Sequence, residues 1–313
     1  MKRDEHSKTG EASGSGLSPR YERMIEDYWA IEQQDARSAG ALGFMTRTLA
    51  QATLPHTDPK LPAGTLYSRS TGQLTLNIAP TTKRYGVPFG SIPRITLAWI
   101  CTEAVRTKEP VLVLGRSQRE FLDKLQLHNN GRDIARMREQ CMRLFRAVIS
   151  VEYEDERGEQ SKRLPITNTD TVFWHRQPDV QSLWTSTLEL THEFFSEVTS
   201  RPVPMDLRVY HALSKSPLAM DIYTWLTYRM FLLRVSGKPM VRVPWAGLMS
   251  QLGAGYPNTR VGLNNFRAKF RTRLKEVLLF YPEAYGHVVD DGTHLKLTPT
   301  RLHMPQSPQG RLL

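Results

Sequence analysis

The order helix, strand, helix, helix, hairpin runs twice along this chain of 313 residues. That recurrence predicts an α+β, helix-rich fold: two tandem winged-helix (winged helix-turn-helix) domains after a flexible N-terminal arm. Charge is the second observation. Lys and Arg number 42 against 31 Asp and Glu, a net charge of +11. A surplus of that size points to a polyanionic partner, with nucleic acid the first candidate. The third observation is what the sequence lacks. No run of about 18 uncharged apolar residues occurs, and MKRDEHSKTGEASGSGLSPR at the start has no apolar stretch of a secretory signal. Cys101 and Cys141 sit in apolar helical patterns, without disulfide-framework or metal-ligand spacing. These features predict a cytoplasmic protein with no membrane attachment.

Residues 1–20 are rich in Ser, Gly and charge and are expected to be a disordered tail. Residues 21–84 are expected to be an N-terminal arm. Its first part, Tyr21 to Glu32, fits a short helix with Tyr21, Met24 or Ile25, and Tyr28 or Trp29 on one face. Prolines 55, 59, 62 and 80 interrupt the remainder, and GQLTLNIAP (72–80) alternates as an edge strand does.

Residues 85–200 are expected to form the first winged-helix domain. Ser91 before Ile92-Pro93 reads as a helix cap with proline in the first turn, and the helix runs to about Thr107. Val111 to Leu114 is a short strand. Ser117-Gln118-Arg119-Glu120 is a capping box that opens a short helix carrying Phe121, Leu122 and Leu125. A longer helix, from about Arg132 to Val148, has the apolar stripe Ile134, Met137, Cys141, Leu144 and Val148. An acidic hairpin follows over 150–167, and strand-like pieces over 171–190 extend its sheet.

Residues 201–300 are expected to form the second such domain, entered through the proline-marked linker RPVPMD (201–206). Asp206 caps a short helix, and Ser216-Pro217 starts a long one that ends near Gly237. A strand (239–243), a short helix (244–252) and a Gly-rich turn lead to a helix capped by Asn258 or Thr259 and reaching about Phe280. HVVDDGTHLKL (287–297) alternates around Asp291-Gly292, a strong hairpin signal. Residues 301–313 are a C-terminal tail.

The second helix of a helix-turn-helix reads DNA with its outer face. In the second half, Leu263, Phe266, Phe270, Leu274 and Val277 must pack inward, which leaves Arg260, Asn264, Arg267, Arg271 and Lys275 on the other side. Asn pairs with adenine and Arg with guanine in the major groove, and Arg and Lys also hold phosphates. Residues 260–275 span about 22 Å at 1.5 Å per residue, so only part of the face meets bases. Arg260, Asn264 and Arg267 are assigned to bases, Arg271 and Lys275 to the backbone. In the first half Arg132, Arg136 and Arg143 share one face, interrupted by Asp133 and Glu139. Two such helices in successive major grooves would sit about 34 Å apart and cover a site of about 20 base pairs.

Enzyme signatures are weak. No P-loop occurs, His192-Glu193 lacks the second histidine of a zinc helix, and no histidine pair supplies a metal site. Tyr281 and Tyr285 have the spacing of some nicking enzymes but no nearby ligands. The tryptophans, among them Trp99, Trp174, Trp184, Trp225 and Trp245, are read as core residues, because stacking on single strands needs exposure in a basic groove. No catalytic residue, metal or cofactor is expected.

The run TKRYGVPFGSIPRITLAWICTEAVRTKEPVLVLGRSQREFL (82–122) resembles the RepA-type replication initiators of broad-host-range bacterial plasmids. The stretch from Trp184 to Met230, VPWAGLMSQLG (243–253) and NNFRAKFRTRLKEV (264–277) are similar to the same family. The resemblance implies a non-enzymatic protein of tandem winged helices that binds directly repeated origin DNA, the iterons. Monomers would open the origin and help recruit the host initiator and helicase; homodimers, joined through the first domain, would repress the protein's own gene. The family's DNA-reading helix would map onto Arg260, Asn264, Arg267, Arg271 and Lys275, and its first-domain counterpart onto Arg132, Arg136 and Arg143. A winged-helix transcriptional repressor without a replication role is the alternative, and a metal-dependent nicking enzyme using Tyr281 or Tyr285 a further one.

Overall fold

The computed structural model describes residues 18–71, 74–128, 130–155, 158–175, 177 and 179–304. The expected disordered tail therefore lies outside the described residues up to residue 17, and so does the expected C-terminal tail from residue 305.

The described chain is a mixture of helices and antiparallel strands around one continuous apolar core that runs from Met24 to Leu297. α1 (Pro19–Glu32) is capped by the Ser18 side chain and buries Met24; Tyr28 is packed against the core, whereas Trp29 is exposed. β1 (Leu42–Met45) and α2 (Arg47–Gln51) follow, then β2 (Tyr67–Thr71) and β3 (Leu74–Pro80).

The first helix-strand-helix-helix run comprises α3 (Ser91–Thr107), β4 (Val111–Gly115), α4 (Gln118–Lys124) and α5 (Gly131–Phe145). Ser117 caps α4 and Asn130 caps α5. Ser91 does not cap α3. The cap is Gly90, with φ +80°, and the Ser91 hydroxyl donates instead to the Ser214 carbonyl. α5 stops three residues earlier than its apolar stripe suggests, because Val148 belongs to the next strand and pairs there with Pro165. That strand is β5 (Ala147–Asp155), followed by β6 (Gly158–Pro165), β7 (Thr167–Thr171), β8 (Ser186–Leu190) and α6 (His192–Ser200).

β9 (Val203–Asp206) and α7 (Leu207–Ala212) lead to α8 (Pro217–Val235), whose residues are buried nearly all round, as expected of a helix at the centre of a core. The second run closes with β10 (Val241–Pro244), α9 (Trp245–Leu252), α10 (Arg260–Phe280), β11 (Val288–Asp290) and β12 (His294–Leu297).

Three strand assignments differ from the sequence reading. Residues 74–80 form an interior strand: the four-stranded sheet has the order β2-β3-β5-β6, so β3 is paired on both sides and buries Leu76 and Ile78. Alternation reports one buried face and is silent on edge position. RPVPMD contains a strand, with β9 pairing to β1; Pro204 is accommodated because a two-stranded sheet leaves one side of each strand unpaired. Finally, β7 and β8 do not extend the sheet of the acidic hairpin. They join β4 in the order β4-β8-β7, matching β10-β12-β11 in the second half. The acidic hairpin β5–β6 is instead completed by strands from the N-terminal segment.

α3 and α8 tie the two halves together through a buried charge network. Arg94 Nε and Nη2 donate to the two Asp221 carboxylate oxygens, each at 2.7 Å, and Arg94 also bonds the Leu54, Pro55 and Gly90 carbonyls. His56 Nε2 lies 2.9 Å from Asp221 Oδ2. Burial pushes the Asp221 carboxyl up, but Arg94 and His56 outweigh it and hold the group at about 2. Burial keeps His56 below the usual imidazole value despite the adjacent carboxylate.

Candidate nucleic-acid interface

α10 owes its start to Thr259, whose hydroxyl accepts from the Gly262 N–H at 3.1 Å. Its inward face buries Phe266, Phe270, Leu274 and Val277; Phe270 meets Trp245 edge-on at 5.3 Å between centroids. Opposite lie Arg260, Val261, Asn264, Asn265, Ala268, Lys269, Thr272 and Lys275, all exposed. At 100° per residue these positions form one continuous arc, and its centre is near Ala268, away from the hairpin. Val261, Asn265, Ala268, Lys269 and Thr272 were not among the residues expected on the reading face. The signal for them was present, since they recur at helical spacing between the assigned residues, but all except Lys269 carry no charge.

Arg267 and Arg271 occupy the hairpin-side edge of that arc, and both are engaged. Arg267 Nη2 donates to Asp290 Oδ1 at 2.8 Å and its guanidinium lies over the Trp245 ring, 5.2 Å from the centroid. Arg271 donates to Asp290 Oδ2 through Nε and Nη2. The same carboxylate accepts from Trp245 Nε1 at 3.2 Å and from the Gly292 N–H at 2.9 Å. Partial burial raises the Asp290 pKa, yet these donors, Arg267 first, bring it down to about 2. Arg267 is 23% exposed and Arg271 50%. The neighbouring Asp291 pairs with Arg242 and accepts from the Thr293 and His294 N–H groups, which sets the hairpin turn. At the far end of α10, Glu276 is buried and receives Arg20 of α1 at 2.8 Å and Arg273 at 2.5 Å.

Gly262 is where the helix start touches the preceding turn: an added Cβ would overlap the Pro257 carbonyl oxygen. Gly262→Ala is expected to destabilise the protein by about 1–3 kcal/mol, the usual cost of overpacking, and to displace Arg260 and Asn264 with the first turn. Thermal melts of the variant check it; an unchanged melting temperature contradicts the tight contact.

On α5, Arg132 and Arg136 are exposed, and Arg136 lies 3.8 Å from Asp133. Arg143 is placed differently. Its Nη2 donates to Glu139 at 2.6 Å, its Nη1 to the Val87 carbonyl at 3.1 Å, and it stacks on Phe89, leaving the side chain 16% exposed. The structure thus brings Arg132 and Arg136 to the surface and uses Arg143 to hold the segment before α3. Ala135, Arg138 and the acidic Glu139 complete the exposed face.

Trp174, Trp225 and Trp245 are buried and Trp99 is half-buried, but Trp184 is 66% exposed beside the partly exposed Phe173. Trp184 precedes β8, which begins at Ser186. Tyr281 is fully buried, donates to the Arg301 carbonyl and is pushed up to about 12 by burial, whereas Tyr285 is exposed. Cys101 and Cys141 are buried thiols, the second pushed up to about 12 by burial. Among the described residues no group of three His, Cys, Asp or Glu is placed to hold a metal ion, and no helix is long and apolar enough to cross a membrane.

No curated protein matches the chain. Two solved structures are similar to it, the crystal structure of RctB domains 2–3 and that of a selenomethionine derivative of the same domains. The first has a TM-score of 0.45 at 13% identity, covering 81% of this chain and 96% of that one. The second has a TM-score of 0.46 at 12% identity, covering 82% and 96%. The family described as plasmid encoded RepA protein matches residues 87–243, from the turn before α3 to the middle of β10. Half of the chain, including the first helix-strand-helix-helix run and the central helix α8, lies in that match, and the protein belongs to the plasmid-encoded RepA family.

Proposed function

We propose that this RepA family member is a non-enzymatic plasmid replication initiator that reads double-stranded DNA through two tandem winged helices. The observation that carries the reading is the exposed arc of α10, which presents Arg260, Asn264, Asn265, Lys269, Thr272 and Lys275 next to a three-stranded sheet. Amide and hydroxyl side chains at the centre and cations at both ends are the combination that base edges and flanking phosphates require. The shared strand order of β4-β8-β7 and β10-β12-β11 supports treating the halves as equivalent units. It makes β7–β8 the counterpart of the second hairpin. Arg132 and Arg136 are then the first unit's contacts, and the acidic β5–β6 hairpin stands apart from the reading head.

In this reading monomers bind direct repeats of about 20 base pairs, the span of two helices in successive major grooves. They open the origin and recruit the host initiator and helicase. Dimers formed through the first unit repress the protein's own gene. Burial of Tyr281 removes one of the two nucleophiles a nicking mechanism would use.

Footprinting of the purified protein on DNA flanking its own gene, across a salt series, tests the reading. Regularly spaced protection with affinity falling steeply in salt is expected; absence of repeat protection overturns iteron binding. Lys275→Ala is expected to weaken specific and random duplexes alike and to lower the slope of log K against log salt by about one. Titrations of both duplexes measure this, and a loss confined to the specific site would move Lys275 from phosphate to base.

A further inference from the structure

An arginine that is to grip a DNA phosphate meets two anionic oxygens on one centre, and Asp290 offers the same arrangement from within the protein. Its carboxylate is 17% exposed and collects Arg267 and Arg271 from the hairpin-side edge of α10. Trp245 Nε1 and the Gly292 N–H bond the same group. The two arginines could lie free along the groove-facing helix; instead their charge is answered in place. A random duplex that approaches α10 must exchange a preformed, partly desolvated contact for a phosphate contact of similar chemistry, so it gains little from these two residues. A duplex seated by the exposed residues Arg260, Asn264, Asn265 and Lys269 brings its phosphates close enough to make the exchange favourable.

We propose that Asp290 is a specificity-determining residue, an internal stand-in for a DNA phosphate that withholds Arg267 and Arg271 from random duplex and releases them on the correct site. The proposal rests on the reading of α10 as the DNA-contacting helix. The acidic groups around it are accounted for: Asp291 is committed to Arg242 and the hairpin turn, and Glu276 is buried under Arg20 and Arg273. Asp290 is therefore the acid that faces both arginines. A purely architectural role predicts something different. Trp245 is also fixed by Phe270, and the hairpin turn by Asp291, so an uncharged asparagine that still accepts from Trp245 and Gly292 keeps the hairpin in place.

The test compares the full chain with Asp290→Asn and with the double variant Asp290→Asn/Arg271→Gln. Each is titrated with the footprinted duplex and with a scrambled duplex of the same length at several salt concentrations. Asp290→Asn is expected to raise affinity for scrambled DNA by about three- to tenfold and to steepen its salt slope by about one to two, the effect of one or two added phosphate contacts. The specific site gains less, so the specificity ratio falls. The double variant loses about half of the added slope. Unchanged ratio and slope in Asp290→Asn overturn the proposal. Parallel losses on both duplexes with a lowered melting temperature also overturn it, in favour of an architectural role. If the wild-type chain shows no salt-dependent duplex binding, the reading of α10 itself fails, a result separable from the others because it precedes the substitution.

Discussion

Asp221→Ala is expected to lower the unfolding free energy by about 3–5 kcal/mol, because it strands the Arg94 guanidinium in the core without its counter-charge. Arg94 and Asp221 are both nearly inaccessible and doubly hydrogen bonded, and they join α3 to α8 and to the 53–56 segment. A denaturant titration measures the loss; a change below about 1 kcal/mol would show that the pair is dispensable to the junction between the two halves. The same pair fixes an acid limb. Asp221 has a folded value of about 2, below the unfolded carboxylate value of about 3.9. Its contribution is therefore complete above about pH 4 and is lost as pH falls from there toward 2. Asp290 shares that window, since its donors also hold it at about 2. Melting temperatures taken between pH 5 and pH 2 should fall, and the fall should be smaller in an Asp221→Asn variant, where no carboxylate remains to titrate at that position.

Phe270→Ala is expected to cost about 3–5 kcal/mol, the range for deleting a buried aromatic ring. Phe270 is fully buried between Phe266 and Trp245, at 5.7 and 5.3 Å between ring centroids. Its loss opens a cavity in the core beside Trp245 and Phe266. The rings can close that gap only by rotating α10 or tilting Trp245, and Trp245 is the platform for the Arg267 guanidinium. DNA affinity should fall together with stability, unlike in Lys275→Ala, where stability is retained. Calorimetry and duplex titration on the same preparation separate the two. Retained specific affinity at a lowered melting temperature would show that the reading face does not depend on this packing.

Much of the molecule was legible in order. The capping box at Ser117 holds in half: Ser117 caps α4, while Glu120 reaches the Arg116 N–H rather than the cap residue itself. Asp206 and Ser216 cap the helices they were expected to cap, and of the two candidates Asn258 and Thr259 it is Thr259 that caps α10. The α10 stripe places its core residues correctly, since a periodicity of 3.6 is a property of the helix itself. Partnership was less legible. Nothing local marks β3 as interior or sends β7 and β8 to β4, because strand pairing joins residues far apart in sequence and alternation reveals only which face is dry. The same limit applied to the site: Arg143 and Arg267 have the spacing of surface cations, and their engagement depends on Val87 and Asp290, which lie on other elements.

The sequence alone determined the class of the protein. It specified the helix and hairpin order, the basic face of α10, the buried cysteines and the family resemblance, all of which are local or compositional signals. Tertiary structure decided which strands share a sheet, which tryptophans stay at the surface and which arginines remain available to a ligand. These are questions of who lies beside whom. A guanidinium is free or neutralised according to a carboxylate that folding brings to it, and that distance is written in no short stretch of the chain.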